Sequence, residues 1–455
     1  MNIFNAFGSK EKGKNINANE SLDSKDINIE EYDRIKGSLW GFFVGDALGV
    51  PVEFVGRETL KTNPINDMEE YGTHHQAKGT WSDDSSMVLA TIDSMYNNQD
   101  KFLSDDIFDY SDLMNRYSNW KNKAEYTPNN KVFDIGISTS NAIYKYENDK
   151  NNVFCGNDSF DSNGNGSLMR VLPLSLYTKY CIHNGYVMKL LNDNYDVIKN
   201  FSSLTHSHSL SIMSCYIYTN FISTYLEEHD LSKTYDRIRK YFQMIFDGTI
   251  SKDYGDLDIC KKYFDRLIYN DITKLTEKDI KSSGFVIDSL EAAIWCLLTS
   301  NSFEETVLKA VNLGEDTDTI GALAGALAGI VYGVNNIPTK WIDSLQRKDY
   351  LEEMINKYLE LIKLRQNKNQ VAWEKSKNEY LDNRKKERFT KVRKEDLNVE
   401  EMTDNTKELK IDIKLTDEDL EYVKFGHKSL EMEDHFCMYY DDNDDTINYY
   451  KPSTY

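Results

Sequence analysis

The sequence has 455 residues, 40% of them hydrophobic and 28% charged, with a formal net charge of -21. That apolar share excludes a chain disordered throughout, and that acidity excludes a nucleic-acid surface, which depends on clustered Lys and Arg. A phosphate-bearing small molecule remains admissible, because backbone N–H groups and metal ions hold phosphate without basic side chains.

Residues 1–30, rich in Asn, Lys, Ser and Asp, read as a flexible leader with no signal peptide. Residues 31–365 read as helical almost throughout. Gly37, Gly41, Gly45 and Gly49 recur every fourth residue, as do Gly321, Gly325 and Gly329. Each glycine costs a helix interior about 1 kcal/mol relative to Ala, so the repeat predicts two helices packed backbone to backbone. Met213, Ile217, Phe221 and Tyr225 form one apolar stripe, and Leu290, Ile294, Leu297 and Leu298 another. Pro51, Pro64, Pro128 and Pro338 fall where helices should stop or start.

The most apolar stretch, Ile320 to Val334, is too short and too rich in Gly and Ala to span a bilayer. Six cysteines without a C-x-x-C pair suit neither a zinc site nor a disulfide framework, which points to a reducing, cytoplasmic setting. From 366 to 455 polar residues dominate. That segment reads as a charged appendage, helical over Val371 to Val392 and irregular afterwards, with an acidic run at Asp441, Asp442, Asp444 and Asp445.

Two acidic clusters carry the chemistry. One is Trp81-Ser82-Asp83-Asp84-Ser85-Ser86, and the other is Gly314-Glu315-Asp316-Thr317-Asp318-Thr319. Each resembles a helix start, where Ser, Thr and Asp cap free N–H groups. Together they hold more acid than capping needs. Two carboxylates ~4 Å apart repel by about 4 kcal/mol at an effective dielectric of 20, so a converged set calls for cations. An all-oxygen donor set selects Mg²⁺, Mn²⁺ or Ca²⁺ over zinc.

Both clusters resemble the metal-binding signatures of the ADP-ribosylglycohydrolases. Further matches follow in that family's order: Gly45-Asp46-Ala47-Leu48-Gly49-Val50-Pro51-Val52-Glu53-Phe54, Asp134-Ile135-Gly136, Gly164-Asn165-Gly166-Ser167-Leu168-Met169-Arg170, Leu204-Thr205-His206 and Gly284 to Ala293. The resemblance implies an all-α fold, a single compact, orthogonally packed helical domain with a binuclear metal cleft. It implies two Mg²⁺ ions, or Mn²⁺ in their place, held by Ser82, Asp83, Asp84, Asp316, Asp318 and Thr319. Glu315 departs from relatives that carry a second glycine there.

Glu53 and Asp134 are the two candidates for activating water. Gly136, Gly164, Asn165, Gly166, Ser167 and His206 are the residues expected at the substrate, the glycines letting backbone N–H groups approach a diphosphate. Phe154 and Phe160 are candidates for stacking on adenine or for the core, while His74, His75 and His208 have no motif support. The implied activity is hydrolysis of the glycosidic bond between ADP-ribose and a protein side chain or other acceptor, by a monomer that engages no membrane. A second reading, a non-catalytic ADP-ribose-binding or structural member of the same fold, has the completeness of the acidic set against it.

Overall fold

The computed structural model describes residues 29–102, 108–180, 194–388, 437–441 and 446–450, so nearly all of the expected leader lies outside it. Both glycine-periodic segments are helices, Ile29–Gly49 and Thr317–Tyr332. They run antiparallel with glycine against glycine, as the spacing predicts. A β-carbon placed on Gly45 would lie 1.9 Å from the Gly321 carbonyl oxygen, one on Gly41 2.2 Å from that of Gly325, and one on Gly37 2.5 Å from that of Gly329. No side chain fits there, and this close approach explains the repeated glycine.

Polar ties fix the register. The Ser38 hydroxyl donates to the Ala326 carbonyl at 3.0 Å, and the Thr317 hydroxyl donates to the Gly49 carbonyl at 2.8 Å. Arg34 donates to the Ile330 and Val331 carbonyls at 3.0 and 2.6 Å, a cation on the free carbonyls that end the second glycine helix.

Other helices wrap this pair. Ser209–Glu228 carries the Met213, Ile217, Phe221 and Tyr225 stripe, but it is buried on nearly every side rather than on one face. Its Tyr218 hydroxyl donates to the Leu323 carbonyl at 3.0 Å. Val286–Leu298 and Phe303–Val311 cover the second glycine helix, with Leu290, Ile294 and Leu297 in the core and Leu298 at its edge. Asp83–Asn97 starts beside the C-terminal end of the first. Among the described residues no helix is long and apolar enough to cross a membrane.

The chain divides into two units, Met1–Lys368 and Asn369–Tyr455. Leu351, Ile355, Tyr358 and Ile362 of the last helix, Lys348–Arg388, are buried within the first unit. The second unit, expected to be irregular beyond its helix, instead contains an antiparallel hairpin of Cys437–Asp441 and Thr446–Tyr450. Its Tyr, Ile and Thr residues are β-formers that outweigh the polar composition around them.

The packing yields a stability test. Gly325→Ala should cost about 3 kcal/mol in chemical denaturation, because backbone sits where the methyl would go. Gly56→Ala, with nothing within 4 Å of the new carbon, should be close to neutral. Equal effects would count against backbone contact as the role of the repeat.

Candidate functional site

Antiparallel packing brings the C-terminal end of Ile29–Gly49 against the start of Thr317–Tyr332. Asp46 lies at that end, fully buried. Its carboxylate accepts the Ser82 N–H at 3.0 Å, the Ser85 N–H at 3.1 Å and the Ser85 hydroxyl at 2.5 Å. Asp46 therefore pins the start of Asp83–Asn97 beside the start of the second glycine helix. Burial pushes its carboxyl up to about 6 against the pull of those hydrogen bonds.

The two acidic clusters meet. Oδ2 of Asp84 accepts the Ser82 hydroxyl at 3.2 Å and the Thr319 hydroxyl at 3.3 Å, across 235 residues of sequence. Oδ1 of Asp84 is buried without a partner among the described residues. Asp318 accepts its neighbour's N–H, from Thr319, at 2.9 Å, and Asp316 accepts the Asn165 side-chain amide at 2.7 Å. Burial raises Asp83, Asp84 and Asp318 well above the usual carboxyl range, and neighbouring carboxylates raise them further.

Glu53 joins them. Its carboxylate and those of Asp316 and Asp318 offer oxygens within 4.8 Å of one another, an arrangement able to hold a metal ion. The residue is 5% exposed, and its side chain bonds the His74 imidazole. The Thr73 hydroxyl donates to the Glu53 carbonyl at 2.7 Å, and the Thr73 N–H donates to the Pro51 carbonyl at 2.9 Å, so the turn carrying His74 clamps this segment. Burial pushes Glu53 up to about 7 despite the bond from His74, with Asp134 and Asp316 adding to the rise. That bond in turn raises the imidazole. Asp134 is half-buried beside Asp83, and its carboxylate accepts the Ile135 N–H at 2.9 Å.

The glycine loop reaches the cluster through Asn165, whose amide also donates to the Ser289 hydroxyl at 2.9 Å. His206 lies beneath the loop, 2% exposed, with its Nδ1 2.7 Å from the Thr205 hydroxyl. Burial pushes this imidazole down to about 3, with the charge of Arg170 second, so it is neutral. A β-carbon on Gly166 would sit 2.7 Å from the Thr139 hydroxyl and 2.8 Å from the His206 ring, whereas Gly164 has more room. The Thr139 hydroxyl is buried without a partner among the described residues and also lies closest to Gly136, which precedes the helix Ile137–Asn148.

The Ser167 side chain points into the core, accepting the Ser202 hydroxyl at 3.0 Å, so only its backbone faces the loop. Phe154 and Phe160 are 42% and 45% exposed, which removes them from the core. Three residues of this site escaped sequence reasoning. They are Asp46, His74 and Arg170, the last fully buried and donating to the Gly166 carbonyl at 2.5 Å. Asp46 is the one charged residue in the glycine-lined stretch Gly37–Gly49, and that was a usable signal for it. Nothing in the sequence separated His74 from His75.

The profile of the family described as ADP-ribosylglycohydrolase matches residues 28–369. The chain belongs to the ADP-ribosylglycohydrolase family. It is 28% identical to ADP-ribosylarginine hydrolase Tri1 of Pseudomonas putida over 71% of this chain and 76% of that protein. It is 25% identical to the ADP-ribosyl dinitrogen reductase glycohydrolase of Rhodospirillum rubrum, over 70% of this chain and 92% of the relative. ADP-ribosylhydrolase ARH3 of Mus musculus is likewise 25% identical, over 69% and 87%. A solved structure described as an ADP-ribosylglycohydrolase-related protein complex aligns with a TM-score of 0.57 at 25% identity, covering 73% of this chain and 99% of its own. The protein is thus a hydrolase with the all-helical fold of its family.

The acidic cluster predicts the metal-free protein's response to pH. These carboxyls bind protons more tightly folded than unfolded, so their contribution is greatest in acid. It is lost as pH rises from about 4, the unfolded value, through about 6 for Asp46 and about 7 for Glu53. The melting temperature of chelator-treated protein should therefore fall between pH 5 and pH 8, and Mg²⁺ or Mn²⁺ should restore it at pH 8. Asp318→Asn should flatten both responses. A melting temperature indifferent to metal would remove the cluster from consideration as a cation site.

Proposed function

We propose that this protein is a divalent-cation-dependent hydrolase that cleaves the bond between ADP-ribose and a protein side chain, with arginine as the first acceptor to test. The observation that carries the metal is the Asp84–Thr319 contact, which joins two acidic clusters far apart in sequence. The donors fit hard cations: they are all oxygens, and one buried Asp84 oxygen has no partner among the described residues. Ser82, Asp83, Asp84, Asp316, Asp318 and Thr319 would hold two Mg²⁺ ions, with Mn²⁺ able to substitute. Such ions supply a Lewis acid and a template for the ribose hydroxyls.

The protein's own groups do the rest. Glu53, oriented by His74, takes the proton of the attacking water, and Asp134 stands second for that task. Gly136 and the loop of Gly164, Asn165, Gly166 and Ser167 receive the diphosphate through backbone groups, with His206 supporting the loop from below. Arginine comes first because two relatives, at 28% and 29% identity, are named ADP-ribosylarginine hydrolases. We further assign catalysis to residues 31–365, acting as an intracellular monomer, with 1–30 as leader and 366–455 as an appendage of separate role. Four buried cysteines without a disulfide among the described residues accord with a reducing, cytoplasmic setting.

Released ADP-ribose, measured on an arginine-linked conjugate, tests the reading. Asp316→Asn should abolish release without changing helix content, and chelation should reproduce the loss. Activity surviving both would overturn the metal assignment. Glu53→Gln should lower kcat by about 10²–10⁴ while ADP-ribose binding changes little. A mild Glu53→Gln beside a severe Asp134→Asn would exchange the two roles. Deleting residues 370–455 should leave a cooperative melt by circular dichroism; a non-cooperative one would show the domain boundary to be misplaced.

A further inference from the structure

Two exposed residues flank the acidic centre in a backbone conformation that suits glycine. Phe54 and Glu315 both have φ of 65°. They lie side by side: the Phe54 N–H donates to the Glu315 carbonyl at 2.6 Å, and the Glu315 N–H donates to the Val55 carbonyl at 2.9 Å. Phe54 is 68% exposed, and Glu315 is exposed too. Left-handed backbone disfavours both side chains, and neither contributes to the core in return. What they offer is to solvent.

Their positions tie them to the reaction. Phe54 follows Glu53 and Glu315 precedes Asp316, so each is the outward neighbour of a carboxylate in the cluster. The glycine loop meets the cluster through Asn165 and Asp316, whereas Phe54 lies next to Glu53 and packs on His74 at 5.9 Å between ring centres. Phe133, preceding Asp134, also packs on that imidazole, 5.2 Å between ring centres.

The rim is held firmly. Arg57 donates to the Leu313 carbonyl at 2.7 Å, to the Glu277 carbonyl at 2.6 Å and to the Ile280 carbonyl at 2.7 Å, which fastens the Phe54 turn to the Glu315 turn. Its guanidinium is engaged by carbonyls. The Glu315 carboxylate has no hydrogen-bond or ion-pair partner among the described residues.

An aromatic ring and an unpaired carboxylate carried on adjoining, hydrogen-bonded backbone match a planar cation, which stacks on one and forms charge-assisted hydrogen bonds to the other. We infer that Phe54 and Glu315 are specificity-determining residues that bind the leaving guanidinium of an arginine-linked acceptor. The inference rests on the proposed glycohydrolase activity and adds the residues that read the acceptor.

The full-length protein would be assayed on matched arginine-linked and serine-linked ADP-ribosyl peptides, with Phe54→Ala, Glu315→Gln and Glu315→Gly. Each variant should raise KM for the arginine conjugate about five- to tenfold, the scale of one cation–π or ionic contact. The serine conjugate's KM and inhibition by free ADP-ribose should not change. Glu315→Gly should also raise the melting temperature, since glycine adopts this backbone freely, so weaker arginine binding in a more stable protein would exclude general damage. Equal effects on both conjugates, or none on the arginine one, would overturn the inference. Wild-type cleavage of the serine conjugate alone would overturn it and leave the glycohydrolase reading standing; cleavage of neither would overturn both.

Discussion

Backbone lies on backbone along the Gly37–Gly49 and Gly321–Gly329 faces, at separations where even one added carbon would overlap a carbonyl. Contact this close permits little sliding, so the register of the two helices is fixed to about a residue. Because they run antiparallel, the end of one delivers Asp46 to the place where the other begins with Asp316, Asp318 and Thr319. Asp46 then captures Ser82 and Ser85 and so sets down a third helix start in the same place. The centre of the fold and the floor of the site are consequences of one packing constraint.

That floor is electrostatically unfavourable on its own. Asp83, Asp84, Asp316 and Asp318 are crowded with Asp46 and Glu53, and burial and mutual repulsion both oppose their ionisation. Partial compensation comes from the two helix N-termini, whose dipoles favour negative charge, and from the Ser82, Thr319 and Asn165 donors. A cluster assembled so far from its stability optimum belongs to function rather than to folding.

Around it, the side chains that brace the glycine loop are buried. Arg170 holds the glycine loop by the Gly166 carbonyl and stacks over Tyr117 and Phe201, while a neutral His206 fills the space below. His74 does the corresponding work for Glu53. Phe54, Glu315, Phe154 and Phe160 are instead exposed.

The sequence by itself determined the helical class, the backbone contact of the two glycine repeats and the identity of the acidic residues, because each is written in local spacing. Every fourth residue being glycine defines a helix face, and acid beside Ser or Thr marks a helix start. Tertiary structure alone decided that Asp84 and Thr319 touch, that Glu53 shares space with Asp316 and Asp318, and that His74 rather than His75 is its partner. It also decided that the Ser167 hydroxyl turns into the core. These are contacts between segments distant in sequence or choices of side-chain direction, and no local pattern encodes them. They follow only when buried backbone packing brings separate helix ends to one point.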